Sequence, residues 1–194
     1  MYNMEKTVNR SRAETAVRDL LSAFNIVIKP GMEETPARVV KMLEEVWEGE
    51  KYTNREIALM YNKTFETTAD DIVVVKDIEA FSYCEHHLAL IYDMRISIGY
   101  IPAGKIIGLS KIARIADMCC KRLQVQERIG TDIADVLELI VGPHVVVRIE
   151  ASHSCMTARG IKKPSSKTVS FTRRGNFAFD SCFRDFLEAL KIGQ

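Results

Sequence analysis

Nowhere in its 194 residues does the chain hold the ~20 consecutive apolar residues that a membrane-spanning helix needs, and residues 1–12 lack the apolar stretch of a secretory leader. An excess of charge is also lacking. With 27 basic against 26 acidic side chains the formal net charge is +1, without the basic surplus typical of a general nucleic-acid surface. These absences predict a cytoplasmic protein that binds neither membrane nor nucleic acid. In that compartment thiols stay reduced, and cysteine patterns point to metal or catalysis rather than disulfides. There is no internal repeat and no low-complexity tract. The length suits one well-buried domain with an appended helical segment.

Histidine and cysteine are scarce, at four and five residues, which makes their placement informative. Three of the histidines and two of the cysteines fall in two short clusters, Cys84-Glu85-His86-His87 and His153-Ser154-Cys155. Zinc binds thiolate sulfur and imidazole nitrogen, and a catalytic zinc uses three protein ligands while leaving one position open. Cys84, His87 and Cys155 can supply those three. Side chains at i and i+3 do not share a strand face, so Cys84 and His87 converge on one ion only if the chain turns there. The β-branched stretch 145–150 reads as a strand; if it continues, His153 and Cys155 project the same way. His86 and His153 then form a second tier beside the metal, available for proton transfer near neutral pH. Cys119 and Cys120, inside a helical pattern, and Cys182, in an aromatic stretch, read as packing residues.

The hydrophobic period divides the chain near residue 62. Before it, Ser11 and Glu14 form a capping-box pair ahead of Val17, Leu20, Leu21 and Phe24 at helix spacing. Thr35-Pro36 then opens a second helix closed by Gly49, and residues 54–61 make a short third one. Beyond it, residues 72–75, 78–81 and 94–101 are β-like, and a helix follows with Ser110 as its cap. A further helix over about 126–141 ends at Gly142-Pro143, strands return at 145–151 and 167–172, and a last helix lies near 182–191. The order strand, strand, helix, helix, strand, strand defines an α+β domain over 63–194 behind a helical segment over 1–62. Its sheet leaves edges to be covered or paired, and pairing with a second subunit is the simple solution.

Several motifs now read together. Ser82-Tyr83-Cys84-Glu85-His86-His87, Gly99-Tyr100-Ile101-Pro102, the run from Ile107 to Arg114, the run from Arg122 to Arg128, and Glu150-Ala151-Ser152-His153-Ser154-Cys155-Met156 closely resemble GTP cyclohydrolase I. Order and spacing match over about residues 35–190. The resemblance implies a tunnelling fold, with subunits pairing their sheets into an oligomeric barrel, commonly a homodecamer with active sites at subunit interfaces. It implies conversion of GTP and water to 7,8-dihydroneopterin triphosphate and formate, the entry step of folate and biopterin synthesis. It makes Cys84, His87 and Cys155 the Zn2+ ligands and His86 and His153 the catalytic histidines. Glu127 becomes the purine anchor, accepting from the N1 hydrogen and the exocyclic amine, with Gln126 beside it. Ser110, Lys111 and Arg114 at a helix start, Arg159, and Arg38 of a neighbouring subunit become the triphosphate contacts. Standing alone, Arg38 reads as a solvated helix arginine and Glu127-Arg128 as a surface pair.

The chain also departs from that family. Where the family commonly has proline and glycine after the second histidine, this chain carries Leu90 and Asp93. If the glycine position needs positive φ, aspartate tolerates it less well than glycine, which predicts a reshaped turn and an altered pocket or lower rate. Two other readings stay open: a paralogue acting on a related purine nucleotide, and a zinc-bearing scaffold without turnover. A zinc deaminase is disfavoured, because the H-x-E and P-C-x-x-C pair of that class is absent.

Overall fold

The computed structural model describes residues 7–192, so the first six residues of the expected 1–62 segment lie outside it. Three helices open the chain: α1 (Arg10–Ala23), α2 (Thr35–Val46) and α3 (Asn54–Tyr61). Their starts differ in part from the sequence reading. Asn9 caps α1, its side chain accepting from the Arg12 amide, and Ser11 lies within the helix. Asparagine caps as well as serine does, and it stands two residues earlier. Thr35 is the first residue of α2 and Glu34 its cap, while Pro36 occupies the first turn, where a missing N–H costs nothing. A capping box of Thr53 and Glu56 opens α3. Gly49 lies beyond α2 in a one-turn 3-10 helix, its amide 2.8 Å from the carbonyl of Lys121. A Cβ there would sit 2.2 Å from the Met118 carbonyl oxygen, so only glycine allows this close passage.

The remainder is a mixed sheet with helices. A two-stranded piece pairs β1 (Thr64–Glu66) with β4 (Lys105–Ile107). The main sheet contains β2 (Val73–Cys84), β3 (Ala89–Tyr100), β5 (Leu123–Gln124), β6 (Val145–His153) and β7 (Thr168–Arg173) in the order β5-β2-β3-β6-β7. Only β5, beside the last two residues of β2, runs parallel to its neighbour. The segments expected at 72–75 and 78–81 are one strand, irregular between Val75 and Ile78, where Asp77 takes φ 58°. β3 begins five residues before the expected start because Asp93, at φ 50°, and a register shift between Tyr92 and Arg95 break the alternation there.

Helices α4 (Leu109–Cys120) and α5 (Gln126–Val141) cover one face of this sheet. Ile112, Ile115 and Cys119 of α4 and Ile129, Ile133 and Leu137 of α5 are buried with Ile91, Met94, Ile96, Ile98 and Ile149 of the strands. Cys119 and Cys120 are packing residues as expected, their thiols pushed well up by burial. After β6 a single turn, α6 (Ser154–Thr157), precedes β7, and α7 (Asp180–Lys191) ends the described chain. α7 covers part of the second face through Phe186, which packs with Val146 and Phe177. The rest of that face carries Glu79, Arg95, Arg148, Glu150 and Lys167, partly paired with one another. No helix among the described residues is long and apolar enough to cross a membrane.

Candidate active site

The β2–β3 hairpin bends where the sequence requires a turn. Cys84 is the last residue of β2, and its carbonyl accepts from the amides of His87, at 3.4 Å, and Leu88, at 2.9 Å. Leu88 closes the turn in the left-handed region at φ 50°. On one side β5 fixes this corner, Cys84 pairing with Gln124 and the Glu85 amide donating to the Gln124 carbonyl at 3.1 Å. On the other side Ile91 pairs with His153, so the end of β6 arrives beside the turn.

β6 stops at His153 and does not continue to Cys155 as a strand; the α6 turn swings Cys155 toward Cys84 instead. Tyr92 of β3 secures that turn, its hydroxyl donating to Thr157 Oγ1 at 3.0 Å. One donor atom each from Cys84, His87 and Cys155 thereby lie within 4.8 Å of one another. The trio grades from buried Cys84 through half-buried Cys155 to exposed His87, leaving a solvent-facing side open. Burial first, and then the neighbouring Cys84, push the Cys155 thiol up. A divalent cation held by the trio would offset that penalty, and two thiols and an imidazole with one open side are a donor set that fits zinc.

The two further histidines flank the trio in different settings. His86 is exposed, with Nδ1 3.8 Å from Cys84 Sγ. His153 is half-buried, and its Nε2 lies 2.8 Å from Gln126 Oε1. Gln126 Nε2 lies 3.1 Å from each of Ile149 O, Thr168 O and Ser170 Oγ. Two of these partners are carbonyls, which only accept, so the amide nitrogen must face them and the amide oxygen must face His153. Neutral His153 therefore carries its proton on Nε2 and leaves Nδ1 bare. Burial holds His153 below the ordinary imidazole value, partly offset by the negative charge of Glu127.

The remaining expected residues divide. Glu127 is exposed in the first turn of α5, within electrostatic reach of His153. It does not pair with Arg128, whose guanidinium grips Glu85. Gln126 is buried with its amide fully engaged inside the chain, a correction to its expected place beside the purine. Arg159, exposed, acts electrostatically on Cys155 and so lies at the metal end. Ser110 is not a cap, since Gly108 occupies that position, and it lies exposed in the first turn of α4 near Lys111 and Arg114. That turn is remote from Cys84. α4 starts beside Ile107, whose amide meets the hydroxyl of Tyr100, and Tyr100 pairs with Val73 at the opposite end of β2. α4 ends just before β5, against Cys84, about 18 Å further along at 1.5 Å per residue. Arg38 is exposed on α2 and pairs with Glu34 at 2.8 Å. The sequence reading did not find Tyr92 with Thr157, or Glu85 with Arg128; these partners lie 65 and 43 positions apart, and no local pattern links them.

Two thiols and an imidazole that could hold a metal ion, beside two further histidines on an α+β scaffold, have the make-up of an enzyme active site. The sequence pattern of the GTP cyclohydrolase I family matches residues 13–191, and the chain belongs to that family. It is 57% identical over 159 residues to the GTP cyclohydrolase 1 of Clostridium botulinum (strain Kyoto / Type A2), covering 78% of this chain and 81% of that protein. It is 52% identical over 191 residues to the GTP cyclohydrolase 1 of Clostridium acetobutylicum, covering 95% and 98%. The corresponding protein of Ruminiclostridium cellulolyticum is 51% identical over 183 residues, covering 90% and 94%. Among solved structures, the apo archaeosine synthase QueF-Like aligns with 55% of this chain and 94% of that one, at 15% identity and a TM-score of 0.41. That likeness is too slight to bear on the fold.

Proposed function

We propose that the chain is a zinc-dependent GTP cyclohydrolase I that converts GTP and water to 7,8-dihydroneopterin triphosphate and formate. The observation that carries this reading is the convergence of Cys84, His87 and Cys155 beside His153, in a chain of that family. Zinc, when bound by the trio, supplies a Lewis acid that makes water nucleophilic near neutral pH. Glu127, unpaired among the described residues and next to His153, anchors guanine by accepting from its N1 hydrogen and exocyclic amine, which presents C8 to the metal side. His153, with Nε2–H committed to Gln126, works through Nδ1: bare in the neutral ring, it takes a proton from the attacking water and passes it to the imidazole nitrogen of the base as the C8–N bond breaks. His86, exposed across the trio, serves the ribose ring oxygen when the sugar opens. Ser110, Lys111 and Arg114 at the amide-rich start of α4, with Arg159 and Arg38, hold the triphosphate.

The separation of the α4 start from Cys84 supports a site shared between subunits, since one chain does not bring both ends together. The open edges of β2 and β7 and the exposed Val169 and Phe171 suit sheet pairing into the barrel of a tunnelling fold, over 63–194 and in a decamer. Mass spectrometry of products from zinc-loaded protein and GTP, with His153→Ala in parallel, tests the proposal. Dihydroneopterin triphosphate and formate, both lost in the variant, are expected. Unchanged GTP with zinc still bound overturns the reading and favours another purine nucleotide or a scaffold without turnover.

A further inference from the structure

Glu85 and Arg128 hold none of the roles above, yet they join the two halves of the candidate site. Arg128 Nη1 lies 2.6 Å from Glu85 Oε2 and Arg128 Nη2 lies 2.9 Å from Glu85 Oε1, a parallel two-bond pairing of guanidinium with carboxylate. Such pairs fix direction as well as distance. Glu85 stands between Cys84 and His86 in the metal-side turn, while Arg128 stands in the first turn of α5, directly after Glu127.

The turn has few other holds. His86, His87 and Leu88 are exposed, with no core packing to set their direction. Besides the Cys84 carbonyl bonds that form the turn, a single backbone bond among the described residues, from the Glu85 amide to the Gln124 carbonyl, ties it to β5. Gln126 meanwhile reaches inward from the same turn of α5 to His153. The start of α5 is thus the common support: one side chain sets His153, the next points outward as the purine anchor, and the third grips the turn that carries His86 and His87.

We propose that Arg128, acting through Glu85, is a positioning residue that fixes the metal-side turn relative to the purine-anchoring turn of α5. The inference rests on Cys84, His87 and Cys155 being the metal ligands. A merely decorative ion pair at this exposure, with 46% and 31% of the two side chains accessible, would change little when broken. A positioning pair would instead alter metal retention and turnover.

The test uses the full chain loaded with Zn2+, comparing wild type with Arg128→Gln, Glu85→Gln, the double variant and Arg128→Lys. Zinc release to a chromogenic chelator, kcat and KM for GTP, and the urea unfolding midpoint are measured. Each single variant is expected to release zinc about 10-fold faster or more and to lose about 10- to 100-fold in kcat. KM should stay within about threefold, the double variant should be no worse than either single one, and the unfolding midpoint should fall only slightly, as for an exposed ion pair. Arg128→Lys, which keeps the charge without the fork, should fall between wild type and Arg128→Gln. Wild-type release rates and kcat in both single variants would overturn the proposal, as would multiplying effects in the double variant. A raised KM at intact kcat would also overturn it, by placing Arg128 on the substrate. Loss of the metal reading is a separate result, seen in wild type alone as failure to retain zinc, and it removes the proposal with it.

Discussion

Replacing Gln126 by leucine separates an inward role for this residue from a role on the substrate. The amide meets four partners: His153 Nε2–H, the carbonyls of Ile149 and Thr168, and the hydroxyl of Ser170. A net hydrogen bond contributes about 0.5–1.5 kcal/mol, and a buried group left without a partner costs about 1–3 kcal/mol. The Ser170 hydroxyl can rotate to another partner; the other three groups at about 1–3 kcal/mol each make a loss of about 3–9 kcal/mol against a typical ~5–15 kcal/mol, so the kinetics are read on protein that the unfolding curve shows to be folded. The loss of function should be larger in proportion. A positioned acid–base group contributes about 10²–10⁴ in rate, and a His153 ring free to turn or to move its proton to Nδ1 forfeits much of that. The expectation is kcat down about 100-fold with KM within about threefold, read from pterin formation at several GTP concentrations beside a urea unfolding curve. Gln126→Glu sharpens the comparison: it retains an acceptor for His153 but gives up the two-hydrogen donor, so stability should fall while kcat recovers in large part. Refutation would come from Gln126→Leu keeping kcat while KM rises tenfold or more, because the side chain would then contact substrate despite its burial.

Glu127→Gln replaces a carboxylate that accepts two hydrogens with an amide that accepts one; bonds to charged groups contribute about 1.5–3 kcal/mol, so kcat/KM for GTP should fall about 10- to 100-fold at unchanged stability. Asp132→Ala strips the counter-charge from Arg122, a mostly buried pair at 2.7 Å that also engages Asn54 and Gln124, and should cost about 3–5 kcal/mol in urea unfolding. Acid should destabilise the fold through Glu85, Asp93 and Glu150, which hydrogen bonds from Arg128, Lys167 and Arg148 respectively hold below their ordinary values. With folded values depressed, their contribution is complete above the unfolded carboxylate range and disappears as pH falls through the folded values. Unfolding midpoints should therefore be level near neutrality and decline below about pH 4.5, and a decline already complete above pH 5 would contradict this.

Legibility in the sequence followed the regularity of each element. α5 was readable to its last residue because Gly142, at φ 106°, and Pro143 stop it sharply, and the 145–151 strand because Val145, Val146, Val147 and Ile149 are β-branched. The first half of β3 was not readable, because Asp93 in the left-handed region and the register shift beside it erase the period-two pattern. That conformation meets the condition set for the glycine-to-aspartate departure, and the Asp93 carboxylate is held by Lys167 at 2.8 Å. The residues of the candidate metal trio stood out by scarcity and spacing, but the route that brings Cys155 to Cys84 was not legible, because a single helical turn has no periodicity to detect. Gln126 was misplaced for a related reason: a polar residue at a helix start reads as exposed, and only the tertiary approach of β6 and β7 buries it.

The distance between the two halves of the site leads to a prediction about assembly. Within one chain the α4 start and the Cys84 turn sit at opposite ends of β2, which on the proposed roles favours a triphosphate held by Lys111 and Arg114 of one chain while its purine is anchored at Glu127 of another. On the shared-site reading proposed above, a neighbouring copy arranged head-to-tail would supply the missing end, and contacts of that kind close into rings. Two variants follow, one defective on each half: His153→Ala on the metal side, and Lys111→Ala with Arg114→Ala on the phosphate side. Each alone should be inactive. When equal amounts are mixed during refolding or co-expressed, about one quarter of the sites between neighbours combine two intact halves, so about a quarter of wild-type activity should return. A site complete within one chain would recover nothing at any mixing ratio, because every chain carries a defect. Absence of recovery in mixed oligomers of verified composition would therefore refute the shared site, and with it the separation of roles between the start of α4 and the end of β2.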